Sequence, residues 1–248
     1  MTGNQGYQPA FFVPKTILFL ILTLLLVYLL RHFLLADYDQ FIVVMFGILP
    51  AKYLPGVAAT YPGGVWMAIP SFITYAFLHA DFAHLAINSA WLLAFGTAVV
   101  RAIGPARFFI LYLISAVFAA AVHIAVDMGS LVPMVGASGA IAGMMGAAFR
   151  VSLPVFSEGP DTKQFSLSDK TPEKIRGPIP VLPLGDSKFL LLSGVWVVTN
   201  LLFGFTGIRV SEQVLMIAWD AHIAGFVAGA LLIPFFIKGG GIKPVTNH

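Results

Sequence analysis

Long apolar runs without charged residues recur along the chain, and short polar stretches separate them. A bilayer core is about 30 Å thick, so a helix needs roughly 20 mostly apolar residues to cross it. Six runs approach this length and predict six membrane-spanning helices, with ends placed to within a few residues. These runs cover residues 16–35, 77–100, 106–126, 134–149, 189–208 and 214–237.

The composition supports a membrane-embedded chain. Only 10% of its residues are charged and 58% are hydrophobic, whereas a soluble domain carries about 25% charged residues because its surface faces water. Six spans and their connections use nearly all 248 residues. We therefore expect an all-α polytopic membrane protein with a single domain, 1–248. The absence of cysteine excludes disulfides, thiolate metal sites and a cysteine nucleophile.

Two connections differ from ordinary loops. The stretch from Asp37 to Ser71 is rich in aromatic residues and contains four prolines, which prevent one long helix. We expect it to be a loop between the first two helices that is partly embedded at the membrane interface. The segment 151–187 is polar and contains six prolines, which is typical of a solvated loop between the fourth and fifth helices.

Basic residues are distributed unevenly over these connections. If the N-terminus is cytoplasmic, only Arg31, Lys52 and Arg209 of the 14 Lys and Arg residues fall outside, which is the arrangement that the positive-inside rule favours. We therefore expect both termini and segment 151–187 to lie in the cytoplasm. The net charge of +3 is then explained by the basic residues that this topology places on the cytoplasmic side. With no basic–aromatic motif beside it, nucleic acid is excluded as a partner.

Three clusters of polar and glycine residues lie within the predicted spans, where polar groups are costly and need a reason. They are His79, His84 and Asn88 in the second span, Gly136, Ser138 and Gly139 in the fourth, and His222, Gly225 and Gly229 in the sixth. Taken singly, each has an ordinary structural interpretation. A membrane histidine can bond a neighbouring carbonyl, and a serine among glycines is more often a packing residue.

Together these clusters favour catalysis. A serine nucleophile needs a base within about 3 Å, and glycines on two helices allow that approach. Ser138 lies near a predicted helix start, where free N–H groups favour negative charge, and His84 with Asn88 can supply oxyanion donors from one helix face. Outside the clusters, we expect His32 and His123 to be structural. Asp81 and Asp220 lie at predicted helix ends and are equally consistent with solvated caps.

These residues resemble the signature of the rhomboid intramembrane serine proteases. Gly136–Gly139 matches the Gly-x-Ser-Gly turn that opens the fourth helix of that family. His79, His84 and Asn88 match its His-x-x-x-x-His-x-x-x-Asn motif on the second helix. Residues 221–229 match its Ala-His-x-x-Gly-x-x-x-Gly motif on the sixth. The resemblance spans roughly residues 70–235.

The resemblance implies a six-transmembrane-helix rhomboid-like bundle that acts as a serine endopeptidase without metal or cofactor. Ser138 would be the nucleophile and His222 the general base, with no third carboxylate. His84 and Asn88 would complete the oxyanion hole with the Ser138 amide, while His79 and the glycines support it. Substrates would be transmembrane segments of other proteins, cleaved within the lipid bilayer, and we expect a bacterial plasma (inner) membrane location. The sequence does not predict the oligomeric state.

Two positions depart from the family pattern. The aromatic residue that often follows the nucleophile by four positions is Ala142 here, and Pro70-Ser71 stands where many members carry Trp-Arg. Either another side chain fills the space beside Ala142, or the His222 ring is held loosely. We expect the second, so that Ala142→Phe would preserve or raise kcat. Two other functions remain open: a non-catalytic rhomboid-like protein that binds membrane helices, and a small transporter, although no internal repeat supports the latter.

Overall fold

A computed structural model of the protein describes residues 13–151, 181–210, 213–215 and 217–237. Most of the predicted loop 151–187 and both chain ends lie outside the described residues. The described helices are α1 (Lys15–Leu29), α2 (Asp39–Phe46), α3 (Gly64–Ala68), α4 (Ser71–Thr74), α5 (Phe82–Trp91), α6 (Thr97–Ile103), α7 (Pro105–Val126), α8 (Ser138–Arg150), α9 (Ser187–Thr206) and α10 (Trp219–Phe236). A hairpin of β1 (Ile208–Val210) and β2 (Gln213–Leu215) joins α9 to α10.

Five segments of the described chain are long and apolar enough to cross a membrane. They are Lys15–Phe33, Phe82–Ile103, Pro105–Val126, Ser187–Thr206 and Trp219–Phe236. Two of them contain a π-helical turn: Leu30–Leu34 extends α1, and Leu92–Gly96 joins α5 to α6. These five segments and the shorter buried helix α8 confirm the predicted all-α, rhomboid-like bundle.

The fourth predicted span differs in length from the prediction. Helix α8 has 13 residues, about 20 Å at 1.5 Å per residue, which is shorter than the bilayer core. It begins at Ser138 and not at 134 because Gly136 adopts φ +123°, which no helix allows. Residues 139–148 are all buried, so α8 is a central helix enclosed by its neighbours. Because its neighbours shield it from lipid, α8 can cross the interior of the bundle without matching the full thickness of the bilayer core.

Two other predicted boundaries also shift. The second span begins at Phe82 because Asp81 caps the helix, its Oδ1 accepting from the His84 amide at 2.8 Å. The sixth begins at Trp219 and not at 214, because the hairpin occupies residues 208–215. This hairpin is the departure from all-helical structure within the described residues.

Glycines bring α8 and α10 into direct backbone contact. A Cβ placed on Gly225 would lie 1.9 Å from the Gly139 carbonyl oxygen, and one on Gly229 would lie 1.8 Å from that of Gly143. Since carbon and oxygen cannot approach so closely, any side chain at Gly225 or Gly229 would push the helices apart. This approach is what small residues provide between membrane helices.

The stretch between the first two spans folds into short helices, as its prolines predict. The hydroxyls of Tyr53 and Ser71 lie 2.6 Å apart, and each is within hydrogen-bond distance of the Ala68 carbonyl oxygen. Lys52 is buried and donates to the Met45 carbonyl at 3.1 Å, and burial lowers the pKa of its ammonium. Ser71 thus anchors this loop without the family's Trp-Arg pair.

Candidate active site

Ser138 is held at the first turn of the central helix by the loop before it. The Gly136 amide donates to the Tyr75 carbonyl at 3.0 Å, which fixes the turn that leads into α8. Ser138 is partly exposed, whereas the next ten residues of α8 are buried. Its hydroxyl is therefore an accessible polar group at the end of an otherwise enclosed helix.

His222 approaches Ser138 from α10. Its Nε2 lies 2.8 Å from the Ser138 Oγ, within the distance that a general base requires. The contact exists because α10 lies against α8 at Gly139 and Gly225. Ser138 is next to Gly139 and His222 is one turn before Gly225, so their side chains span the small remaining gap. The structure thus joins residues that are 84 positions apart in sequence.

A residue that the sequence analysis did not select completes this contact. Asn200 of α9 lies 2.9 Å from the His222 Nδ1 through its Oδ1, and its Nδ2 donates to the Trp219 carbonyl at 2.9 Å. The expectation of a loosely held His222 ring is therefore wrong, because both ring nitrogens have partners. A single amide in an otherwise apolar fifth span was the available signal, since polar groups in membrane helices usually have a role.

The space around Ala142 is also occupied. Ala142 is 4% exposed and belongs to a buried cluster with Met145, Phe189, Phe226 and Ala230. Trp196 packs on this cluster, its ring stacked on that of Phe226 with centroids 4.6 Å apart. Aromatic side chains from α9 and α10 thus fill the region where the family often places an aromatic on α8.

His84 and Asn88 lie beside the turn that carries Ser138. A Cβ on Gly136 would stand 2.6 Å from the His84 Cε1 and 3.7 Å from the Asn88 Nδ2. Asn88 is 2% exposed, and its Nδ2 has no hydrogen-bond partner among the described residues. A buried donor normally has a partner, so the Asn88 Nδ2 beside Gly136 is a donor available to a ligand.

His79 lies just before the start of α5 and packs against His84. The two rings meet edge to face with centroids 5.1 Å apart. His79 is fully buried, and its ring nitrogens lack a well-formed partner within the described part of the chain. Burial, followed by the neighbouring His84, lowers the pKa of His79 to about 3. His79 is therefore neutral at physiological pH.

Two residues outside the predicted clusters form a buried pair. His123 of α7 lies 2.8 Å from the Asp220 carboxylate through its Nδ1, a contact that is compatible with the structural role expected for His123. Asp220 is therefore not a solvated cap. His32 bonds the Tyr28 carbonyl within its own helix, in keeping with a structural role. No group of three His, Asp or Glu side chains suited to a metal occurs in the described ranges.

Comparison with known proteins finds a rhomboid domain match over part of the chain. A model of the rhomboid domain matches residues 63–159. Rhomboid protease GluP of Bacillus subtilis (strain 168) is 40% identical over 90 residues, which is 36% of this chain and 17% of that protein. Residues 63–159 therefore resemble a rhomboid domain, and the chain spans about a sixth of the length of the B. subtilis relative. The rhomboid match includes His79, His84, Asn88 and Ser138, whereas His222 and Asn200 lie beyond it and are placed by the structure.

Proposed function

We propose that this protein is an intramembrane serine endopeptidase that cleaves transmembrane segments of other membrane proteins. The observation that carries the proposal is the 2.8 Å contact between the Ser138 Oγ and the His222 Nε2. A serine hydroxyl is a weak nucleophile unless a base lies in such contact. The B. subtilis relative is named a rhomboid protease, which supports the same activity.

In the first step, the Ser138 Oγ attacks the carbonyl carbon of the scissile peptide bond. The hydroxyl proton passes to the His222 Nε2 as the new C–O bond forms, and the carbonyl oxygen becomes an oxyanion. The unpartnered Asn88 Nδ2 and the His84 ring lie beside Gly136, two residues before the nucleophile. With the Ser138 amide at the helix start, they would supply donors to this oxyanion.

In the second step, the tetrahedral species collapses and the C–N bond breaks. The departing amine takes the proton from His222, which leaves an acyl ester on Ser138. Water then attacks the ester with His222 again as base, releasing the new carboxyl terminus and restoring the serine. The partial exposure of Ser138 and His222 supports water access. Neither step requires a cofactor.

The five candidate spans support an integral, multi-pass membrane protein. We place it in a bacterial plasma membrane with both termini cytoplasmic, on the distribution of basic residues along the sequence. Its partners are then the surrounding lipid and substrate helices. A non-catalytic helix-binding rhomboid has no need for a serine–histidine contact, and a transporter has no need for an orphan donor beside it.

The test uses purified protein in liposomes, a fluorophosphonate probe and a transmembrane-helix substrate. We expect wild type to be labelled and to cleave, and Ser138→Ala and His222→Ala each to abolish cleavage. Because the two side chains act as a unit, the double variant should be no worse than either single one. Ser115→Ala, which removes a buried hydroxyl from α7, is the matched control and should keep both activities. Cleavage that survives Ser138→Ala would overturn the proposal.

A further inference from the structure

Asn200 occupies an unusual position on the fifth span. The exposed side of α9 is mostly apolar, and Asn200 is buried on the opposite side together with Phe189 and Gly204. Gly204 lies one turn after Asn200, and a Cβ there would meet the Trp219 side chain at 2.5 Å. This close packing against α10 holds the Asn200 amide between His222 and the Trp219 carbonyl.

The Trp219 carbonyl determines which way the Asn200 amide points. A carbonyl oxygen only accepts hydrogen bonds, so the group facing it at 2.9 Å must be the Asn200 Nδ2. The Oδ1 then faces His222 and must accept, which requires a proton on the His222 Nδ1. In a neutral imidazole the Nε2 is then unprotonated and presents its lone pair to the Ser138 hydroxyl.

We infer that Asn200 is a positioning residue that fixes the tautomer and ring orientation of His222, extending the Ser138–His222 pair to a chain of three side chains. The inference rests on the proposed function, since it assigns Asn200 a role in the same site. This role of Asn200 explains how the site can have alanine at position 142, where the family often has an aromatic residue. The ring is held from α9 by a directional hydrogen bond and does not depend on a stacking partner from α8.

A purely structural role is the competing explanation, because the Asn200–Trp219 bond also joins α9 to α10. Two substitutions separate these roles. Asn200→Leu removes both hydrogen bonds at similar volume. Asn200→Asp keeps an acceptor for the His222 Nδ1, but an ionised carboxylate has no donor for the Trp219 carbonyl. Thr199→Val is the matched control, since Thr199 is exposed on α9 and its hydroxyl bonds only the Val195 carbonyl of the same helix.

The kinetic arm measures kcat and KM for a transmembrane-helix substrate in liposomes. Asn200→Leu should lower kcat on the order of 10²-fold, the effect of misplacing a catalytic group, with KM nearly unchanged. Asn200→Asp should recover most of this loss, and Thr199→Val should match wild type. If Asn200→Asp is as slow as Asn200→Leu, or if Asn200→Leu keeps the wild-type kcat, the positioning role is wrong.

The second arm measures the tautomer by ¹⁵N NMR of His222, which needs no turnover. Wild type and Thr199→Val should show a protonated Nδ1 and an unprotonated Nε2, whereas Asn200→Leu should lose this exclusive form. An unchanged tautomer in Asn200→Leu would overturn the inference even if proteolysis is found. The tautomer could instead depend on Asn200 in a protein that never reacts with fluorophosphonate. That result would contradict the proposed function but would support the role of Asn200 in orienting His222.

Discussion

The Gly225 Cα faces the Gly139 carbonyl so closely that one added carbon would lie 1.9 Å from the oxygen. Gly139 follows Ser138, and Gly225 lies one turn after His222 on the same face of α10. The distance between nucleophile and base is therefore set by the contact between these two glycines. Their small size positions Ser138 against His222.

Gly225→Ala should separate α8 from α10, lowering both cleavage and thermal stability. Inserting a carbon into a packed core costs about 1–3 kcal/mol, and here the obstructing atom belongs to the backbone and has little room to move. Gly194→Ala is the control, because Gly194 lies on the exposed side of α9 with nothing within 4 Å of an added Cβ. It should keep full activity and gain slight stability, since alanine favours helix over glycine. Equal behaviour of the two variants would contradict this account.

Much of this arrangement can be predicted from the sequence, because its residues stand at fixed spacings along single helices. Gly225 and Gly229 mark one face of α10, and His84 and Asn88 mark one face of α5. Such patterns predict close packing and shared faces without any knowledge of tertiary structure. Helix ends are harder to predict. Residues 134–137 continue an apolar run, and the positive φ of Gly136 that excludes them from α8 depends on the Tyr75 carbonyl.

Contacts between single polar residues on different helices could not be predicted in this way. Asn200 and His222 come from neighbouring spans. Their relative position along the bundle axis, however, depends on the hairpin between α9 and α10. His123 and Asp220 are 97 positions apart, and each has an ordinary interpretation alone. Such pairs require the packing of the bundle, which spacing along one helix does not supply.

Asn88→Ala should reduce activity without reducing stability. If the Asn88 Nδ2 stabilises the oxyanion, its loss should lower kcat by roughly 10²–10³, the range for one such donor, with little change in KM. The same atom has no partner among the described residues, so its removal breaks no hydrogen bond of the resting protein and relieves an unsatisfied buried group. Thermal unfolding measured beside kcat checks this split. A folded variant with wild-type kcat would make Asn88 a packing residue.

His79 should make the protein less stable as the pH falls. Its pKa of about 3 in the folded chain lies below the ordinary histidine value of 6.5. Between these values the unfolded chain binds a proton that the folded chain does not, so the free energy of unfolding decreases with falling pH. Unfolding curves in detergent from pH 7 to pH 4 should show a shallower decline for His79→Phe than for wild type. Parallel curves would mean that folding leaves the pKa of His79 unchanged.

With α8 as a sixth, shorter crossing beside the five candidate spans, the topology should place both chain ends on the cytoplasmic side. An even number of crossings returns the chain to its starting side, and most basic residues then lie inside. Reporter fusions at Thr171 and His248 measure this directly, with a cytoplasm-active and an export-active enzyme at each point. We expect activity from the cytoplasmic reporter alone at both sites. Export of either fusion would require a different number of spans or the opposite orientation.

Ala142→Phe should inactivate and destabilise the protein, the reverse of what the sequence alone suggests. The residue at 142 lies one turn from Ser138 on the same helix face, which favours a stacking role for an aromatic ring there. In the folded chain, however, Ala142 is buried against Phe226, and Trp196 is stacked on that ring. A phenyl group would have to displace these rings, at about 1–3 kcal/mol for overpacking, and would move α9 with its Asn200 away from His222.

The paired variant Ala142→Phe with Trp196→Ala opens space on the same cluster and should recover part of the stability. Thermal unfolding and kcat of both variants decide between the two views. A single Ala142→Phe variant that is stable and faster than wild type would show that the ring has room and that His222 gains from a stacking partner.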